Sequence, residues 1–265
     1  KNEKMLLLIG VDVGNGDTKT ANSKIHTGIK TVQDASIAKN VLLMDGITSI
    51  IGEGHIAYME DRTIDENYRR LTCQAIANEV RINGMTPGTY EIYLGVGVPF
   101  QHWNGMKDRM KSYFMEKPLM NFISNGEEYS IRIQDVAVMP QGYSAVAMQL
   151  GRYRGLTWIV DIGNGTLDCI TLSEGVANET KSFTEKLGTY QCYLLAKEKI
   201  KDTTLKDLPY EVFESYLIQG NVNLNLPEEW TSCIDFGVKE YCEQVFSMLR
   251  EHGYSDAVSY THLRA

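Results

Sequence analysis

Two aspartates each end an apolar run, and a glycine-bracketed turn follows each of them. Residues 12–19 read DVGNGDTK and residues 161–168 read DIGNGTLD. Glycine lets the backbone approach a phosphate closely and leaves several N–H donors pointing inward, an anion-binding nest. A carboxylate at the end of the preceding strand can hold Mg²⁺, usually through waters, because that ion dehydrates reluctantly. Two such turns from two halves of a molecule could clamp one polyphosphate. Either turn alone also reads as an ordinary hairpin with a Gly-Asn-Gly tip. The repetition of the whole arrangement, buried strand and leading aspartate included, favours the polyphosphate reading.

Other residues with chemistry to offer are fewer. Gly188-Thr189 opens a helix, which would direct free N–H groups and a positive dipole end toward an anion. Lys19 could reach phosphates as a point charge, or be a solvated strand lysine. Asp168 shares a strand face with Thr166 by alternation, in a structural role or none. Gly95-Val96-Gly97 has no third glycine or helix start at the offset a dinucleotide fingerprint needs, and reads as a closely packed strand end. The sequence contains no Gly-x-Ser-x-Gly. Its five cysteines are scattered, without Cys-x-x-Cys or clustered histidine, and read as reduced thiols of a cytosolic protein.

The elements that must position these groups follow from hydrophobic period. Residues 5–13 form an apolar strand, with a return strand over 17–21. A strand follows at 47–51. Helical spacing of Leu71, Ala75, Ile76, Ala77 and Val80 gives an amphipathic helix over 65–82, closed by Asn83-Gly84. Residues 90–98 form a strand stopped by Pro99, residues 103–115 a helix, and 121–123 with 128–138 a hairpin turning at Ser124-Asn125-Gly126. A short helix is expected over 141–150. The pattern restarts with a strand at 156–162 and its return at 166–172, followed by helices over 186–200, 210–218 and 228–251. Interleaved strands and helices indicate an α/β protein, with a boundary at the restart.

Composition narrows the class. The chain has 265 residues, 43% of them hydrophobic, and a net charge of −8. Phosphate neutralisation needs a basic face, so direct grip on nucleic acid is not expected. The longest apolar run is far short of the roughly 20 residues a membrane helix requires, and it carries no signal-peptide cleavage site.

The two turns resemble the phosphate-1 and phosphate-2 motifs of the actin, heat-shock-chaperone and sugar-kinase superfamily. Within it the chain most resembles plasmid-segregation actins of the ParM/StbA type. The resemblance extends through 90–100 (YEIYLGVGVPF), 126–139 (GEEYSIRIQDVAVM), Pro140-Gln141-Gly142, 158–170 (WIVDIGNGTLDCI) and Lys186-Leu187-Gly188-Thr189. It implies an actin-like, ribonuclease H-like, two-domain ATPase fold, with domain I over 1–155 and domain II over 156–257. ATP or GTP with Mg²⁺ is the implied cofactor. By resemblance Asp12 sits near the metal, and Gly14, Asn15 and Gly16 wrap the phosphates, within reach of Lys19. Asp161 acts on metal and attacking water, while Gly163, Asn164, Gly165 and Thr166 form the second cradle. Gly188 and Thr189 lie near ribose and phosphates. Gln141 stands where ParM-like proteins commonly carry glutamate and actin a glutamine that orients water. An amide is no strong base, so positioning of water is the role implied. The alternative is a polar residue at a helix start.

The family carries a further glycine-rich adenosine motif after the helix corresponding to 228–251. Residues 258–265 supply no glycines, so this sequence is expected to stop short of that motif, with a tail from another source. The function implied is a cytoplasmic filament that assembles with ATP, hydrolyses it and segregates a plasmid or similar element through a DNA-bound adaptor. A sugar or acid kinase and a chaperone-like or scaffold ATPase share the superfold, and fold alone does not separate them.

Overall fold

The computed structural model describes residues 6–33, 38–54, 61–255 and 261–264. They fall into two compact units, 1–149 and 150–265.

In the first unit the strands are β1 (Leu6–Val13), β2 (Asp17–Lys19), β3 (Lys24–His26), β4 (Ile29–Thr31), β5 (Val41–Met44), β6 (Ile47–Ile51), β7 (Thr89–Val98), β8 (Leu119–Ser124) and β9 (Glu127–Pro140). Among the described residues they make one sheet in the order β3-β2-β1-β7-β9-β8-β5-β6-β4. Its centre is parallel: β1 pairs β7 and β7 pairs β9 in the same direction. All three therefore deliver their carboxyl ends to one edge, where open α/β sheets place their ligands.

Helix α1 (Glu66–Ile82) makes the crossover that lets β1 and β7 run parallel. Asp65 caps it by accepting from the Asn67 N–H at 2.9 Å, and Asn83-Gly84 ends it, as the sequence suggests. Helix α2 (Trp103–Met115) follows β7. Ile9, Val11 and Val13 of β1 and Ile92, Leu94, Val96 and Val98 of β7 pack with Leu71, Ile76, Val80, Met110 and Phe114 of the helices in one core. The alternate residues of β1 point the other way: Leu8 is 83% exposed, and Asp12 belongs to this open face. The β8–β9 hairpin turns at Asn125 (φ 52°) and Gly126 (φ 83°), the two positive dihedrals that suit a tight hairpin of right-handed twist.

The second unit holds β10 (Leu156–Ile162), β11 (Leu167–Ser173), β12 (Val176–Glu185) and β13 (Thr261–Arg264), in the order β12-β11-β10-β13. Helices α4 (Thr189–Thr204), α5 (Tyr210–Gln219) and α6 (Glu228–Glu251) build its core around Tyr193, Ala196, Phe213, Ile234 and Tyr241. Gly237 of α6 lies so close to α4 that a Cβ there would stand 2.6 Å from the Ala196 nitrogen.

Three expectations need correction. Residues 141–150 are not one helix: α3 (Tyr143–Val146) is a single turn, continued by 3₁₀ turns over Ala147–Arg152. The helix expected from 186 starts at Thr189, because Gly188 is still extended (φ −81°, ψ 177°). The return strand after the first turn ends at Lys19 rather than 21. The expectation for the tail falls largely outside the described residues; residues 261–264 run parallel to β10.

Candidate functional site

Each glycine turn is built the same way. In the first, the Gly14 N–H donates to the Asp17 carbonyl at 2.9 Å; in the second, the Gly163 N–H donates to the Thr166 carbonyl at 2.8 Å. Register repeats as well: Asp12 pairs with Lys19, and Asp161 with Asp168, each seven residues on. The sequence repeat is thus a repeat of local structure.

In the first unit Asp12 closes β1. Directly opposed residues of an antiparallel pair project to the same face, so Lys19 shares the face of Asp12. From the far side of β7 comes Gln141, whose N–H donates to the Val98 carbonyl at 2.8 Å. Its side-chain Nε2 donates to Asp12 Oδ1 at 2.5 Å. The strand between them supplies the room: a Cβ on Gly97 would lie 2.8 Å from Gln141 Cγ and 3.3 Å from Asp12 Oδ1. The close packing expected of Gly97 is therefore packing against this pair. With Nε2 held by Asp12, the carboxamide oxygen of Gln141 faces away from that carboxylate and is the atom able to accept from a water.

The turn itself is cramped. A Cβ on Gly14 would meet the Asp17 carbonyl oxygen at 2.8 Å. The Gly16 carbonyl accepts from the Thr27 N–H at 2.8 Å, and the buried hydroxyls of Thr18 and Thr27 meet at 2.9 Å. A strand-end carboxylate, a close glycine turn and a lysine on the carboxylate's face suit a metal-bound polyphosphate, the carboxylate acting on Mg²⁺ through water.

In the second unit the turn at 163–166 is braced from three directions. Thr189 N–H donates to the Gly163 carbonyl at 2.9 Å and Tyr190 N–H to the Asn164 carbonyl at 3.0 Å. This corrects the expectation of free amides at the start of α4: those two bind the turn. Gly188 makes the approach possible, since a Cβ there would lie 2.3 Å from the Asn164 carbonyl oxygen. The Asn164 side chain donates through Nδ2 to Tyr210 Oη at 2.7 Å, so it is fastened to α5. Asp168 is 7% exposed and accepts from Thr184 Oγ1 at 2.5 Å and Thr166 Oγ1 at 3.2 Å. These bonds suit a structural role for Asp168, and Thr166 directs its hydroxyl to this carboxylate.

Sequence reasoning missed Gly97, Tyr210 and Thr184 as parts of these sites. Local spacing marks Gly97 only as a closely packed strand end, and nothing local marks Tyr210 or Thr184. Gly97 matters because β7 lies between β1 and β9, and Tyr210 because α5 packs back on the turn.

Among the described residues no group of three or more His, Cys, Asp or Glu side chains could hold a metal ion by itself. No helix among them is long and apolar enough to cross a membrane.

Comparisons with known proteins address the family and the fold. Residues 10–143 match the family described as actin like proteins, N-terminal domain. No curated protein matches the chain. Among solved structures, an archaeal actin homolog, Ta0583, in complex with ADP is 18% identical and superposes with a TM-score of 0.76, covering 97% of this chain and 86% of that one. The actin-like protein Alp7A is 15% identical with a TM-score of 0.72, over 98% of this chain and 83% of that one. A ParM from Clostridium botulinum, solved as a 15-stranded filament, is 14% identical with a TM-score of 0.68, over 97% and 86%. At these identities the likeness speaks for the fold, which is the α/β actin-like architecture expected from the sequence. With the family match spanning half its length, the chain belongs to the actin-like proteins.

Proposed function

We propose that the protein is a cytoplasmic nucleoside triphosphatase whose chains assemble into filaments, with nucleotide state setting filament stability. One nucleoside triphosphate is held with Mg²⁺ by both glycine turns. Gly14, Asn15 and Gly16 offer backbone amides to the outer phosphates, and Lys19 adds charge. Gly163, Asn164, Gly165 and Thr166 form the second cradle, held in place by Gly188 and Thr189. Asp12 and Asp161 hold the metal through its waters. Mg²⁺, when bound, neutralises the charge that develops on the phosphates.

The observation that carries this reading is the Gln141–Asp12 hydrogen bond at the end of β1, where the first turn begins. It fixes a carboxamide beside the phosphate-binding loop with its oxygen directed away from Asp12. There Gln141 can orient a water for attack without taking its proton outright. Asp161, at the end of β10 just before the second turn, is the carboxylate that acts on the metal and the attacking water in this proposal. A sugar or acid kinase would want a carboxylate at position 141.

Similar solved structures include ParM and Alp12 filaments and an AlfA filament bound to AMPPNP. They support self-association here, and a DNA-bound adaptor with a plasmid-like cargo completes the proposal. The test is light scattering and phosphate release of the protein with Mg²⁺ and ATP or GTP. Scattering that rises with nucleotide and decays as phosphate is released supports the reading. No polymer at any concentration, together with phosphorylation of an added sugar, favours the kinase.

A further inference from the structure

Glu79 lies near the end of α1, 7% exposed, and no part of the proposed chemistry uses it. Both its carboxylate oxygens are engaged. Oε2 accepts from Thr20 Oγ1 at 2.5 Å and from the Asn22 N–H at 3.3 Å. Oε1 accepts from Asn22 Nδ2 at 2.5 Å and from Asn83 Nδ2 at 3.1 Å. Asn83 also donates to the Glu79 carbonyl at 2.8 Å, tying the helix end to the same cluster.

Thr20 and Asn22 belong to the turn that joins β2 to β3, which is itself tight. Thr20 N–H donates to the Ser23 carbonyl at 2.9 Å, and Ser23 N–H donates to Thr20 Oγ1 at 3.0 Å. The Thr20 hydroxyl therefore accepts from its own turn and donates to Glu79. Thr20 follows Lys19 directly, and Lys19 is the register partner of Asp12. A carboxylate taken out of water is costly unless its lone pairs are satisfied. Here four donors from two segments meet that need. Three come from the β2–β3 turn, so the groups that satisfy Glu79 also anchor the strand that carries Lys19.

We propose that Glu79 is a positioning residue of the first glycine turn: it locks the β2–β3 turn onto α1 and so holds Lys19 opposite Asp12 for contact with the nucleotide phosphates. The inference rests on the nucleotide-binding reading above and adds a residue 59 positions away from the turn it fixes.

The test is a double-mutant cycle on affinity for Mg²⁺ with a non-hydrolysable ATP analogue, using Glu79→Gln, Lys19→Ala and the pair. Glutamine keeps the size but presents an N–H₂ group to donors. If Glu79 acts through Lys19, each single change weakens binding by about tenfold or more, and the pair is weaker than the worse single by less than about threefold. Losses that multiply, or full affinity in Glu79→Gln, overturn the proposal. Thr20→Val removes the same contact from an accessible side and gives the cycle if Glu79→Gln does not fold. Wild-type protein that binds no nucleotide overturns the underlying reading instead. In that case amide hydrogen exchange still decides whether Glu79 locks the turn: faster exchange over 16–27 in Thr20→Val is expected, and unchanged exchange refutes the lock.

Discussion

Asp161 and Asp168 stand directly opposite each other on β10 and β11, in the register that sets Asp12 against Lys19 on the first hairpin. The two turns share one backbone design and differ in the residue facing the aspartate. The first hairpin places a cation there. The second places a buried carboxylate satisfied by two threonine hydroxyls. Only the first can add positive charge to a bound polyphosphate from that position; the second keeps its facing residue for structure. Asp168→Ala should therefore lower stability, by about 2 kcal/mol through the Thr184 hydroxyl left without its acceptor, measured by denaturant unfolding.

Gly97 separates the fold from the chemistry. The Cβ of Gly97→Ala would press on the flexible Gln141 side chain rather than on backbone. The sheet should therefore survive while Gln141 leaves Asp12. Phosphate release is expected to fall roughly a hundredfold, as for a misplaced positioning group, with a nearly unchanged melting temperature.

Gly188 and Gly163 make an opposite pair. Gly188→Ala would drive a Cβ into the backbone of the second turn, with Asn164 O at 2.3 Å. Backbone cannot give way there, and a loss of about 3 kcal/mol is expected. At Gly163 the nearest atom, Thr166 O, lies at 3.4 Å, so Gly163→Ala should stay within about 1 kcal/mol. Thermal unfolding of the two variants side by side checks the contrast.

Tyr210→Phe removes one oxygen, the acceptor of the Asn164 side chain. The expected loss is about 1 kcal/mol of stability, together with faster hydrogen exchange across the second turn. Equal exchange would show that α4 alone holds the turn.

Thiol chemistry tests the core. Burial pushes the thiols of Cys73 and Cys169 up to about 12 and that of Cys192 to about 11. Cys233 is also buried, and Cys242 is exposed. An aromatic disulfide reagent near pH 8 should modify one thiol in the native protein and all five after unfolding. The same shifts fix a sign: the three raised groups favour the folded state fully below their ordinary value of 9.0. That contribution declines as pH rises from there toward their folded values. Glu79 acts at the other end of the scale. Burial alone would raise its carboxyl, but hydrogen bonds from Thr20, Asn22 and Asn83 outweigh burial and hold it below the ordinary value. Its contribution is present above the unfolded value and is lost as pH falls through the folded one.

Much of this was legible in the sequence where one segment decides its own structure. Residues 47–51, 103–115, 156–162 and 228–251 carry enough period and punctuation to fix both ends of their elements. The strands over 24–26, 29–31 and 176–185 did not show, because they are short or exposed and take their form from partners. The aspartates and glycines of the turns were visible as a repeat. What holds them was not: Gly97, Glu79 and Tyr210 act across 44 to 59 residues or from a neighbouring strand. Register and helix docking make those contacts, and neither is written in local spacing.

The proposed sharing of one nucleotide by both glycine turns has a direct test. Calorimetric titration of the protein with Mg²⁺ and a non-hydrolysable ATP analogue tests it, for wild type, Asp12→Ala and Asp161→Ala. One nucleotide per wild-type chain and a large loss of affinity in each variant are expected. Two independent sites, or undiminished binding after either substitution, would contradict it.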